Sequence, residues 1–189
     1  HVRLGLSPNG YFLVSAHREE IIDATANLQG LVASLNLLAD QYGLPIVMST
    51  HPRTRKRFEA GGVTLHPLVQ THKPLGFSDY VRLQRDARLV LSDSGTITEE
   101  SSILGFPAVN IREAHERPEG MEEGAVVMCG LQPDSVSEAV QVTLAQHEAN
   151  PQWRRLVADY SMPNVSDKVV RIILSYTGYV NRTVWKKQK

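Results

Sequence analysis

Residues 88–105 read Arg-Leu-Val-Leu-Ser-Asp-Ser-Gly-Thr-Ile-Thr-Glu-Glu-Ser-Ser-Ile-Leu-Gly, and their order decides the fold. An apolar run of strand length (88–92) enters the small polar turn Asp93-Ser94-Gly95, which opens a helix of about ten residues ending at Gly105. Residues 107–111 return as a strand. Downstream the pattern continues with a short helix at 118–123, a strand at 125–128 and a long amphipathic helix at 135–147. A last helical run at 167–176 carries Val169, Val170, Ile172, Ile173 and Leu174. Upstream lies a strand at 11–15, then a helical stripe from near Asp23 through Leu28, Leu31, Val32, Leu35 and Leu38, closed by Gly43. Strands at 45–49 and 63–65 flank a basic stretch, 53–57, read as a short helix, and Ser78 caps a helix at 78–85. Short apolar strands alternating with helices predict a parallel sheet covered on both faces, a doubly wound α/β domain. No repeat or low-complexity tract interrupts it.

With 189 residues, 42% of them hydrophobic, the chain can bury the core of one ordinary domain. Lys and Arg number 20, as do Asp and Glu, so no net field draws it to nucleic acid or an anionic membrane, and any bound anion must be held locally. The single cysteine, Cys129, excludes an internal disulfide and suits a cytoplasmic protein. Residues 1–9 show no signal-peptide pattern, and no run approaches the roughly 20 apolar residues of a membrane span. The chain begins without Met on polar, linker-like residues. It reads as a single domain, 1–189, cut from a longer polypeptide, with 1–9 a linker remnant and 166–189 a terminal helix and tail. Its 7 histidines fall at no HxxxH or HxH spacing, so neither a metal nor a cofactor is assigned.

In such sheets ligands sit beyond the C-terminal strand ends, near the switch in strand order. In the segment Ser92-Asp93-Ser94-Gly95-Thr96-Ile97-Thr98-Glu99-Glu100, free N–H groups at a helix start, the helix dipole, the Ser94 hydroxyl and a Gly95 that permits close approach all suit a diphosphate. Glu100, under two turns into the helix, is placed for ribose hydroxyls. A plain capped helix with solvated glutamates fits those residues equally well. His17-Arg18-Glu19-Glu20 follows the first strand, where His17 and Arg18 suit a second face of the phosphate and His17 can move a proton. In Ala114-His115-Glu116-Arg117-Pro118-Glu119-Gly120, Arg117 offers a rigid fork of donors to a phosphate or a carboxylate, although a solvated ion-pair loop would read the same. Phe77 and Tyr80 could stack on a base or belong to the core. His51-Pro52-Arg53 is a further anion candidate or a surface loop.

Together the segments HREE, SDSGTITEE and HERPEG resemble the non-hydrolysing UDP-N-acetylglucosamine 2-epimerase family. The likeness covers the whole chain but only the C-terminal half of that two-domain enzyme. It implies a Rossmann-like half of a glycosyltransferase-B type fold in a homodimeric enzyme that acts on UDP-N-acetyl amino sugars. Such enzymes eliminate UDP in the anti sense to a 2-acetamidoglycal and add it back with C2 inverted. By resemblance His17 meets the diphosphate, Ser94, Gly95 and Thr96 bind phosphate at the helix start, Glu100 binds ribose, and Tyr80 lies near uracil. Arg117 lines the phosphate or cleft side, and His17 and Arg117 are the catalytic candidates here. In relatives regulated by a second sugar nucleotide, the positions matching Arg18 and His51 lie near that allosteric site. Thr96-Ile97-Thr98, the run 110–117 and the tail Tyr176-Thr177-Gly178-Tyr179 look more like the UDP-N-acetyl-L-fucosamine synthase branch of capsule and O-antigen synthesis. Ile21 departs from the Asn expected after HREE. The family's N-terminal lysine and acidic catalytic residues have no counterpart, so this chain is expected to bind UDP without turnover. A glycosyltransferase-B donor domain and a non-catalytic nucleotide-binding module are the competing readings.

Overall fold

The computed structural model describes residues 2–114, 116–150 and 156–187. His115 of the charged loop, the Arg53 side chain, and the outermost residues of the expected linker and tail, His1 and 188–189, lie outside them. The chain forms two compact units, His1–Val157 and Ala158–Lys189.

In the first unit the elements run β1 (Phe12–Ser15), α1 (Glu19–Ile22), α2 (Thr25–Tyr42), β2 (Ile46–Ser49), α3 (Pro52–Ala60) and β3 (Val69–His72). They continue as α4 (Phe77–Asp86), β4 (Leu89–Ser92), α5 (Ile97–Leu104), β5 (Ala108–Asn110), α6 (Pro118–Glu122), β6 (Val127–Met128) and α7 (Pro133–Ala149). Among the described residues the strands form one six-stranded sheet in the order β3-β2-β1-β4-β5-β6, every neighbouring pair parallel. This is the doubly wound α/β fold expected from the alternation.

The inner strands β1, β2 and β4 are apolar up to their terminal serines because both faces are covered, and every residue of them is buried. On one face Phe12, Val14, Ile46, Met48, Leu89 and Leu91 pack against α2 and α7 through Leu31, Leu35, Leu38, Val136 and Val140. On the other, Leu13, Val47 and Val90 meet Leu83 of α4, Ile97 of α5, and Phe106. Each such side chain contributes about 1.5–3 kcal/mol by leaving water. Gly43 and Gly105 end α2 and α5 in the left-handed conformation, at φ 61° and 75°, where a Cβ would be strained by about 1–2 kcal/mol.

Several elements differ from the sequence expectation. Residues 63–65 are not a strand: Asn36 of α2 holds that segment, donating to the Thr64 carbonyl and accepting from the His66 N–H, both at 2.8 Å. The edge strand is instead the polar run Val69–His72, registered on β2 with Ile46 opposite Val69. Ser78 does not cap α4, because Gly76 occupies the N-cap with extended backbone and Ser78 lies in the first turn. α5 starts at Ile97 and has 8 residues, since 93–96 form a turn rather than helix.

The second unit contains α8 (Ala158–Ser161) and α9 (Val165–Thr183), longer than the expected 167–176. Val169, Val170, Ile172, Ile173 and Leu174 are exposed on α9. No helix of the described residues is long and apolar enough to cross a membrane.

Candidate functional site

From β1 the chain steps outward through β2 to β3 and then crosses back to place β4 on the other flank of β1. The segments leaving β1 and β4 therefore diverge, and a crevice opens between them beyond the strand ends. Ser15, the last residue of β1, is in register with Ser49 and Ser92, and Ser92 with Asn110, so a polar row floors this edge.

Asp93, buried at 2% exposure, joins the two segments. Its Oδ2 accepts the backbone N–H groups of His17 and Arg18, both at 2.7 Å, while Arg18 Nε donates to the Asp93 carbonyl at 3.0 Å. Hydrogen bonds to a carboxylate are the stronger kind, so the His17 loop and the Ser94 turn are held as one body. In the sequence Asp93 reads only as a turn residue; nothing local marks it as the strut.

Ser94 and Gly95 are half-buried and Thr96 is exposed. The Ser94 N–H donates to Ser92 Oγ at 3.1 Å, and Ser94 Oγ accepts the Thr96 N–H at 3.3 Å. Thr96 is the N-cap residue of α5 and makes no side-chain cap bond, so the positive dipole end of the helix faces this turn, where the Ile97 N–H is engaged by the Ser94 carbonyl at 3.4 Å. Glu100, half-buried on α5, accepts from Thr96 Oγ1 at 2.7 Å on Oε1 and from Gln84 Nε2 on Oε2. Each carboxylate oxygen retains lone-pair capacity for a further donor. Gln84 escaped the sequence reading because it is a lone polar residue on the hidden face of α4, 1% exposed.

The charged loop after β5 closes over this turn. A Cβ built on Gly95 would lie 2.7 Å from Glu116 Oε2 and 3.9 Å from an Arg117 guanidinium nitrogen. Arg117 Nε pairs with Glu99 at 2.6 Å. Glu116 pairs with Arg18 at 3.2 Å and with Arg112 at 2.9 Å, and Arg112 also lies 3.4 Å from Glu20. Arg112, at 6% exposure, is a buried cation that the sequence does not distinguish from its exposed neighbours. Its guanidinium first, and that of Arg18 after it, hold the Glu116 carboxyl below the usual range.

Tyr80 packs against the second core cluster and hydrogen-bonds Ser15; burial foremost pushes its hydroxyl up to about 12, so it is neutral. Phe77, the first residue of α4, is 84% exposed and leaves an aromatic face open to solvent. His17 and His51, far apart in sequence, meet across a cavity of about 490 Å³ that Glu19, Ile22, Thr54 and Pro74 also line. Burial of the Cys129 thiol raises it to about 12, which suits a packing role. Among the described residues no three His, Cys, Asp or Glu side chains gather as a metal would require.

Desolvation, above all, lowers the His17 pKa, and nearby His51 adds to this while Asp93 opposes it. A depressed folded pKa means that the unfolded chain binds the proton more tightly. This contribution to stability is present above the ordinary histidine value of about 6.5 and is lost as pH falls through the lower folded value. The melting temperature of the unmutated chain should therefore drop relative to His17→Asn between pH 7 and 5, by a small amount because the ring is partly solvated. A difference constant over that range would show that His17 is not desolvated.

The profile of the UDP-N-acetylglucosamine 2-epimerase family matches residues 2–174. A UDP-N-acetylglucosamine 2-epimerase of Methanococcus maripaludis is 32% identical over 154 residues, covering 79% of this chain and 41% of that protein. The solved structure of UDP-N-acetylglucosamine 2-epimerase from Rickettsia bellii superposes with a TM-score of 0.83 at 46% identity, covering 98% of this chain and 50% of that one. The enzyme from Methanocaldococcus jannaschii, solved in complex with UDP-GlcNAc and UDP, superposes with a TM-score of 0.75 at 28% identity, covering 87% of this chain and 45% of that one. The chain thus spans about half the length of these relatives. It belongs to the UDP-N-acetylglucosamine 2-epimerase family.

Proposed function

We propose that this chain is the UDP-binding half of a UDP-sugar 2-epimerase. The observation that carries the reading is the junction at Asp93, which presents the His17-Arg18 loop and the start of α5 to the same space, with Glu100 already oriented by Gln84 and Thr96. The diphosphate lies against Ser94, Gly95, Thr96 and His17, the ribose on Glu100, and the uracil beside Phe77 and Tyr80. That the M. jannaschii relative was solved with UDP and UDP-GlcNAc supports this ligand class.

In the full-length protein the proton on sugar C2 goes to a base, its electron pair becomes the C1–C2 double bond, and the C1–O bond breaks so that UDP leaves with the bonding pair. UDP returns to C1 as a proton is delivered to the opposite face of C2. Arg117 and His17 lie where charge develops on the departing diphosphate, so their donors stabilise the transition state more than the bound substrate. The Glu99 ion pair orients Arg117 for this. Contacts that select the sugar come largely from the other half of the enzyme. The finer assignment, to the UDP-N-acetyl-L-fucosamine type of capsule or O-antigen synthesis, rests on the resemblance carried by residues 96–98, 110–117 and 176–179; the homodimer rests on the family resemblance as a whole, and the cytoplasmic location on the single cysteine.

Incubation of the full-length protein with UDP-N-acetyl amino sugars in deuterated water tests the reaction. Epimerisation through the glycal places deuterium at C2 of the product. Product that keeps its original C2 hydrogen would sink the elimination mechanism, and no turnover of any such sugar would sink the epimerase reading.

A further inference from the structure

The anion position at the start of α5 already holds a carboxylate. Glu116 Oε2 stands 2.7 Å from where a Gly95 Cβ would be, directly over the turn that offers the helix N–H groups. The same carboxylate is 3.2 Å from Arg18 and 2.9 Å from Arg112. Its backbone carbonyl meets an Arg117 guanidinium nitrogen at 3.5 Å. Glu116 comes from an irregular loop between β5 and α6, and its side chain is 43% exposed. A carboxylate on such a tether can swing away, whereas the buried Arg112 beneath it cannot follow it into solvent.

We propose that Glu116 is an internal stand-in for the ligand's phosphate: it keeps Arg18 and Arg112 gathered at the Gly95 turn, and an incoming diphosphate must displace it. The inference rests on the nucleotide reading of this site. It assigns Glu116 a role in setting affinity, because each binding event exchanges one anion for another and so reports only the difference between them.

The sign of one substitution decides the matter. A carboxylate that merely braces the two arginines would, when neutralised, leave them misplaced and weaken diphosphate binding. A carboxylate that competes for the position would, when neutralised, strengthen it. Calorimetry on the whole chain with UDP, inorganic diphosphate and uridine should find Glu116→Gln binding the first two about five-fold tighter, a change of the size that exposed charge pairs produce, with uridine unchanged. Glu113→Gln removes the same charge from the same loop, but Glu113 lies 2.5 Å from a Cβ position on Gly130 rather than Gly95, so it should leave all three affinities in place. Equal tightening in both variants would mean a general charge effect and would overturn the proposal, as would unchanged or weaker diphosphate binding by Glu116→Gln. If unmutated protein binds inorganic diphosphate but not UDP, the nucleotide reading fails while the diphosphate comparison still judges Glu116. If neither variant binds inorganic diphosphate, the proposal falls too. Should Glu116→Gln unfold, Glu116→Asp, which draws the carboxylate back by one methylene, must show the same direction.

Discussion

Gly95→Val should weaken UDP and UMP binding by about a hundred-fold or more while changing uridine binding little. The estimate follows from losing two or so hydrogen bonds from backbone N–H groups to a charged phosphate, each of about 1.5–3 kcal/mol. Gly95 is absent from the positive-φ glycines, so its backbone accepts a side chain and the fold should survive. What the substitution removes is space. The nearest atom to a new Cβ is the end of the Glu116 side chain, which can move aside, but a phosphate bound against the turn cannot. Calorimetry with the three ligands separates the cases. Equal losses for all three would mean that the variant had damaged the domain and that the phosphate assignment has no support from it.

Glu100→Ala should cost about 1.5–3 kcal/mol, roughly ten-fold to a hundred-fold in UDP affinity, because a ribose hydroxyl loses a charged acceptor. 2′-Deoxy-UDP should lose little further in that variant. The carboxylate is pre-oriented by Gln84 from behind and Thr96 from the side, so the ligand need not order it, and Gln84→Met should reproduce part of the loss. If 2′-deoxy-UDP binds the unmutated protein as tightly as UDP does, Glu100 is not a ribose ligand and the nucleotide lies in another orientation.

Both predictions rest on a segment, 88–105, whose strand, turn and helix were legible in the sequence because the rules that make them are local. An apolar run, small polar residues and a terminal glycine act within a few positions of one another. The same held for α2, whose stripe from Leu28 to Leu38 and closing Gly43 need no partner to be read. It failed at β3. Val69-Gln70-Thr71-His72 has no strand pattern of its own and becomes a strand because β2 offers its edge, while the more strand-like 63–65 is held off the sheet by Asn36.

The candidate site divides along the same line. That Ser94, Gly95 and Glu100 stand at a helix start, and that His17 and Arg18 follow a strand, is local information. Which of these face one another is set by the crossover that brings β4 beside β1, and by Asp93, whose carboxylate reaches across the crevice to two backbone N–H groups. Burial of Arg112, the seat of Glu116 on Gly95 and the support of Glu100 by Gln84 were likewise decided only in three dimensions. Propensity and periodicity act over a turn of helix or a pair of strand residues, but a charge has its energy set by whatever distant segment the fold packs against it.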